Sequence, residues 1–151
     1  MTLTAKETSL LKDLRSQEQL CIDKYTKYAS QACDGQLKNL FSQVTQTETN
    51  HLQTIDQISA ETVPQMNAGS GGAQNTAQIQ PSACSQTDKK NDEFLCSDAL
   101  SMEKHVSSSY DTSIFEFVDP CVRNALNHIQ KEEQQHGEQI YNYMSANGMY
   151  S

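Results

Sequence analysis

Residues 37–58 read LKNLFSQVTQTETNHLQTIDQI, and this stretch decides the fold. Its apolar residues recur every three or four positions, which is the spacing of one face of an α-helix. They are Leu37, Phe41, Val44, Ile55 and Ile58. Between Val44 and Ile55 the same spacing falls on Glu48 and His51. The pattern therefore predicts a helix near residues 36–61 whose buried face carries a carboxylate and an imidazole.

A second stretch, 85 residues later, repeats this arrangement: residues 122–143 read VRNALNHIQKEEQQHGEQIYNY. Glu133 and His136 take the places of Glu48 and His51. The same offset relates Glu18 to Glu103, and each of these glutamates interrupts an apolar stripe of its own. A block repeated at a fixed offset indicates a duplicated unit, here a helical hairpin.

Four helices are expected, near residues 5–32, 36–61, 91–117 and 121–146. Asp34-Gly35 and Asp119-Pro120 favour turns within each hairpin. Residues 62–90 read as a linker, because they contain small polar residues and most of the helix breakers. These are Pro64, Gly69, Gly71, Gly72 and Pro81.

A linker of this length can run the length of a bundle. We therefore expect residues 1–151 to form a single all-α domain, a ferritin-like four-helix bundle. It would be built from hairpins 5–61 and 91–146, with a long crossover between helices 2 and 3. An up-down-up-down bundle with a slack loop is the topological alternative.

Six ionisable residues are expected at one level of the core, where they would be costly without compensation. They are Glu18, Glu48, His51, Glu103, Glu133 and His136. One Glu from each of two helices plus a Glu-x-x-His from each of the other two is the ligand pattern of di-iron and di-manganese carboxylate bundles. We expect these residues to bind two divalent metal ions, with iron favoured over manganese, although the ligand types also fit zinc. The alternative is a set of buried, hydrogen-bonded polar residues without metal.

Two tyrosines and two further histidines lie near the predicted cluster in sequence or share its residue types. Tyr25 and Tyr110 lie two helical turns beyond Glu18 and Glu103, so they could donate hydrogen bonds to the ligand carboxylates or simply pack as core aromatics. His105 and His128 lie off the apolar stripes, so we expect both to face solvent.

The charge and the cysteines limit the class of protein. The formal net charge of −8 makes nucleic acid an unexpected partner. No apolar run reaches the roughly 20 residues of a transmembrane helix, and the first residues do not resemble a signal peptide, so no membrane association is expected. The five cysteines include no Cys-x-x-Cys pair, which argues against a structural zinc knot, and their odd number without a signal peptide suggests free thiols. Cys21 should be a core residue, and Cys84 could form cross-links in an oxidising setting.

Three segments resemble the spore coat protein F family, a ferritin-like group of endospore-forming bacteria. They are residues 10–38, the run Asp119-Pro120-Cys121-Val122-Arg123-Asn124, and the ending from Tyr143-Met144 to Gly148-Met149-Tyr150. The resemblance implies a place in the spore coat or the mother-cell cytoplasm, a role in sporulation, and other coat proteins as partners. It does not imply metal binding, which rests on the residues alone.

Three functions remain open from the sequence. The first is a spore-coat protein that retains a di-metal site, and we expect such a protein to form a homo-oligomer. The second is a di-iron or di-manganese oxidoreductase that acts on peroxide or dioxygen, with the metals supplying the redox chemistry. The third, iron storage, would need a closed shell of many subunits and ranks last.

Overall fold

The computed structural model describes residues 1–65 and 78–150. Within these ranges the chain forms four α-helices and no strand. The helices are α1 (Ala5–Gln31), α2 (Gly35–Ser59), α3 (Gln86–Ile114) and α4 (Pro120–Ala146). The predicted all-α, four-helix architecture is confirmed, whereas the linker glycines Gly69, Gly71 and Gly72 lie outside the described residues.

Each helix begins after a residue whose side chain accepts a hydrogen bond from the first turn, which satisfies an amide that the helix itself leaves unpaired. These capping residues are Thr4, Asp34, Ser85 and Asp119. Thr4 and Glu7 form a reciprocal capping box, and Pro120 occupies the first position of α4, where its missing N–H costs nothing.

The predicted limits of the third helix, residues 91–117, are wrong at both ends. The helix begins at Gln86 because Ser85 caps it, and its first residues are polar and mostly exposed, so they add nothing to an apolar pattern. It ends at Ile114. Phe117 lies after the helix and is nevertheless buried, which is why the apolar spacing extended the predicted helix to residue 117.

The contacts between helices determine their directions. Tyr25 of α1 contacts Glu103 of α3, while Glu18, two helical turns before Tyr25, contacts Tyr110, so α1 and α3 are antiparallel. The α2–α1 turn is short, so α2 and α3 run in the same direction. Glu61, just after α2, accepts a hydrogen bond from the backbone of Leu3, near the start of α1.

The described ends of the α2–α3 connection therefore lie at opposite ends of the bundle. Glu61 is beside the start of α1, whereas Cys84 is bonded to Cys33, just after the end of α1. An up-down-up-down topology would require both ends of this connection to lie at the same end of the bundle. That alternative is therefore wrong for this structure.

The core is formed by the apolar stripes of all four helices. Both α1 and α4 pack against α2 and α3, so α1 and α4 lie diagonally across the bundle from each other. Tyr25, Phe41, Tyr110 and Ile140 are among its fully buried side chains. Of the helices in the described part of the chain, none combines the length and the apolar character needed to cross a membrane.

The cysteines differ from the expectation of free thiols. Cys33 and Cys84 form a disulfide with their Cα atoms 6.4 Å apart, because the α1–α2 turn and the residues before α3 meet at one end of the bundle. Free thiols are found at Cys21 and Cys96, which are buried, and at Cys121, which is exposed. The prediction that Cys21 is a core residue is confirmed.

Candidate metal centre

All six predicted site residues lie together in the core. Glu18 and Glu103 come from α1 and α3, and the two Glu-x-x-His pairs come from α2 and α4. Residues three apart on a helix share a face, so both members of each pair point to the bundle axis. None of the six is more than 4% exposed.

One half of the cluster is centred on His51. Its Nδ1 atom lies 3.1 Å from Oε2 of Glu48 and 3.1 Å from Oε1 of Glu133. Oε2 of Glu18 is 3.8 Å from the same nitrogen. These four residues each offer one ligand atom within 4.8 Å of the others, which is close enough for a shared cation.

The other half is centred on His136, whose Nδ1 atom lies 3.2 Å from Oε1 of Glu48 and 3.4 Å from Oε2 of Glu133. Oε1 of Glu103 is 3.5 Å away. These four residues also keep one ligand atom each within 4.8 Å. Glu48 and Glu133 belong to both halves, and each directs one carboxylate oxygen to each histidine. These two carboxylates are therefore shared between the two groups.

The two tyrosines contact the outer glutamates across the α1–α3 interface. The Tyr25 hydroxyl donates a hydrogen bond to Oε1 of Glu103, and the Tyr110 hydroxyl donates one to Oε1 of Glu18. Both tyrosines are fully buried. They are therefore core aromatics that also orient carboxylates, so the two roles left open by the sequence are combined.

The carboxylates have opposed pKa shifts. Burial raises the pKa of Glu18 well above its usual value, and the charges of Glu48 and Glu133 add to this. Burial, with a hydrogen bond and a charge from Glu133, likewise raises the pKa of Glu103. Burial acts in the same direction on Glu48, but its close contacts with His136 and His51 outweigh burial and lower its pKa. The pKa of Glu133 is lowered well below the usual value for a similar reason, with Glu103 also contributing a hydrogen bond.

The histidines balance these charges. Burial disfavours the charged imidazolium, but the surrounding carboxylates outweigh burial and raise the pKa of both His51 and His136 well above the usual value of 6.5. Without metal, these shifts favour neutral Glu18 and Glu103, ionised Glu48 and Glu133 and positively charged histidines, so the charges offset one another. Two divalent cations would balance the same six residues with all four glutamates ionised and both histidines neutral.

Several buried polar atoms of the cluster have no hydrogen-bond partner in the part of the chain that the structure describes. They are Oε2 of Glu18, Oε1 of Glu48, Nε2 of His51, Oε2 of Glu103, Oε2 of Glu133 and Nδ1 of His136. Buried polar atoms nearly always have a partner, so a concentration of unpartnered carboxylate oxygens facing one another fits a bound cation. The residues present therefore fit a pair of divalent metal ions.

Glu132 was not identified from the sequence as a neighbour of the cluster, although its side chain is only 25% exposed. Its Oε1 atom lies 2.5 Å from Nε2 of His128 and 3.8 Å from Nε2 of His51. His105 faces solvent as predicted, but His128 is only 31% exposed at its side chain and pairs with Glu132. The spacing of four between His128 and Glu132 was the available signal.

The fold and the cluster together define a class: a four-helix bundle whose core holds two adjoining carboxylate–histidine groups. The model of the Coat F domain family matches residues 91–151 of this chain. The resemblance to the coat F family is thereby confirmed over α3, α4 and the residues that follow them. Comparisons with curated proteins and with solved structures give no match.

Proposed function

We propose that this protein is a spore-coat-associated, ferritin-like protein that binds two divalent metal ions, iron or manganese, in its core. The Coat F match supports the coat location, the mother-cell cytoplasm as a second site, and other coat proteins as partners. Two features support a ferritin-like topology: α1 and α3 are antiparallel, and the connection between α2 and α3 has its ends at opposite ends of the bundle.

The observation that carries the metal proposal is the sharing of Glu48 and Glu133 between the two ligand groups. Each metal ion would have one histidine and one terminal glutamate, His51 with Glu18 and His136 with Glu103, and both ions would share the two bridging carboxylates. Carboxylate and imidazole ligands suit iron and manganese. Bound metal ions would supply redox or Lewis-acid chemistry, and the bundle would exclude water and fix the ligand geometry.

The metal content of anaerobically purified protein tests this proposal, measured by elemental mass spectrometry. About two metal ions per chain are expected, by analogy with the ligand count of di-metal bundles. The double variant Glu48→Gln, Glu133→Gln keeps the side-chain volumes and should lose most of the metal. A matched control, Glu93→Ala with Glu116→Ala, removes two exposed carboxylates and should retain it. Wild-type protein without metal after reconstitution would refute the site.

A second candidate function is an oxidoreductase acting on peroxide or dioxygen, and the buried tyrosines beside the terminal glutamates favour it. Disproportionation of peroxide needs no external reductant, because one peroxide is reduced to two waters while another is oxidised to dioxygen. Oxygen release from hydrogen peroxide by metal-loaded protein tests this function. If the protein is an enzyme, Glu48→Gln should abolish oxygen release. If it is a structural bundle, the wild-type protein should release no oxygen, and Glu48→Gln should change only its stability.

A further inference from the structure

Two metal positions built from a duplicated hairpin would be equivalent if the repeat were perfect, but their surroundings differ. Glu132 faces Nε2 of His51 from outside the cluster. The repeat offset of 85 places Thr47 where Glu132 stands in the second hairpin, and Gln43 where His128 stands. The carboxylate and imidazole outside His51 are thus matched by a hydroxyl and an amide in the other half.

The contacts of His51 show why this difference matters. Its Nδ1 atom faces the three carboxylates of its ligand group, so this nitrogen would bind a metal ion. The proton of the neutral ring would then be on Nε2, which is buried and has no hydrogen-bond partner among the described residues. Oε1 of Glu132 lies 3.8 Å from this nitrogen, within ion-pair distance, and would have to approach by about 0.6 Å to accept a hydrogen bond.

His128 holds Glu132 in place for this contact. Its Nε2 atom lies 2.5 Å from Oε1 of Glu132, one helical turn away on α4. In the other half, the hydroxyl of Thr47 donates to the backbone oxygen of Gln43 within its own helix. Across the described ranges, the carboxylates within ion-pair distance of His136 are Glu48, Glu103 and Glu133, which all belong to the cluster.

We propose that Glu132 is a positioning residue that accepts a hydrogen bond from Nε2 of His51, and that it makes the His51 position bind a divalent cation more tightly than the His136 position. This inference rests on the proposed function and deepens it. A carboxylate behind a metal-bound histidine fixes the ring orientation and raises the basicity of the ligating nitrogen. Removing such a partner typically weakens metal binding tenfold to hundredfold.

Titration with Mn²⁺ alone tests the inequality, with free Mn²⁺ measured by electron paramagnetic resonance and heats by calorimetry. Wild-type protein should bind two ions in two resolved steps. Glu132→Leu should weaken the tighter step about tenfold to hundredfold and leave the weaker step unchanged. Glu132→Gln, which keeps an acceptor oxygen, should weaken the tighter step less. Circular dichroism would verify that each variant is folded.

A double-mutant cycle assigns the effect to one histidine. In a His136→Gln background, Glu132→Leu should still weaken the remaining ion, whereas in a His51→Gln background it should change nothing. Thr47→Val, at the matching position of the other hairpin, and Asp56→Asn, which removes an exposed charge, should behave like wild type.

The possible failures are distinguishable. Wild-type protein that binds no Mn²⁺ would overturn the proposed metal site together with this inference. Two bound ions whose affinities are unaffected by Glu132→Leu would overturn only the role of Glu132. An equal loss in both steps, or a loss that persists without His51, would also contradict a selective contact with that histidine.

Discussion

The hydroxyl of Tyr110 gives the sharpest single-atom test of the cluster. Tyr110 is fully buried, and its hydroxyl donates a hydrogen bond to Oε1 of Glu18, whose Oε2 has no partner among the described residues. Tyr110→Phe keeps the ring and its packing and removes only this donor. Any change therefore reports on the hydrogen bond to a candidate metal ligand.

The size of the effect should depend on whether metal is bound. In the metal-loaded protein Glu18 is ionised, and a hydrogen bond to a charged acceptor is worth about 2 kcal/mol. Without metal the raised pKa of Glu18 favours its neutral form, so the loss should be about 1 kcal/mol. The variant should therefore melt about 4–8 °C lower with metal and about half as much lower without it. The difference of about 1 kcal/mol corresponds to a roughly fivefold loss of metal affinity.

Thermal unfolding followed by circular dichroism, with and without a chelator, measures both changes. Tyr25→Phe, which removes the equivalent donor to Glu103, should give a similar result. Tyr141→Phe is the control, because Tyr141 is 44% exposed and lies outside the cluster. Equal losses with and without metal would refute the idea that the tyrosine acts on a metal ligand, and no loss in either state would refute the hydrogen bond itself.

Four further predictions concern proton release, the pH dependence of stability, the disulfide and a turn. Metal uptake should release about four protons per two ions, measured by titration in weak buffer, and release of none would contradict the protonation of the metal-free cluster. The pKa values of the two cluster histidines are raised in the folded protein, so their contribution to stability is complete below pH 6.5. This contribution is lost as the pH rises through the raised pKa values. The melting temperature of the metal-free protein should therefore fall as the pH is raised above 6.5. Replacing Cys33 and Cys84 with Ser removes a cross-link between residues 51 apart and should cost about 4 kcal/mol in thermal or denaturant unfolding, whereas Cys121→Ser should cost little. Asp92→Ala should cost about 2 kcal/mol of folding stability, because the Asp92 carboxylate accepts hydrogen bonds from two backbone amides of the α1–α2 turn. Asp111→Ala, at an exposed site, is the control, and equal melting temperatures for the two variants would contradict this prediction.

The helices and the six-residue cluster could be predicted because both depend on local periodicity. Glu48 and His51 occupy positions where the stripe of α2 requires a core-facing residue, and the repeat supplies the same result at Glu133 and His136. A buried charged residue on an apolar face is conspicuous in sequence. The start of α3 could not be found in this way, because its first turn is polar and exposed and depends on the Ser85 cap.

The disulfide and Glu132 depend on contacts that no local pattern encodes. Cys33 and Cys84 meet only because the α2–α3 connection returns to the end of the bundle where α1 finishes. Glu132 is one residue before Glu133 and is therefore rotated about 100° away from the core-facing stripe. It reaches His51 only because α2 and α4 pack side by side.

The family match and the candidate metal centre rest on different parts of the chain. The Coat F match covers residues 91–151, which contain Glu103, Glu133 and His136 but none of the ligands from the first hairpin. Each ligand group needs residues from both hairpins, since Glu48 is common to both groups. The hairpin that the Coat F model matches therefore cannot form this cluster by itself, and metal binding must be tested on the whole bundle, independently of any test of the protein's location.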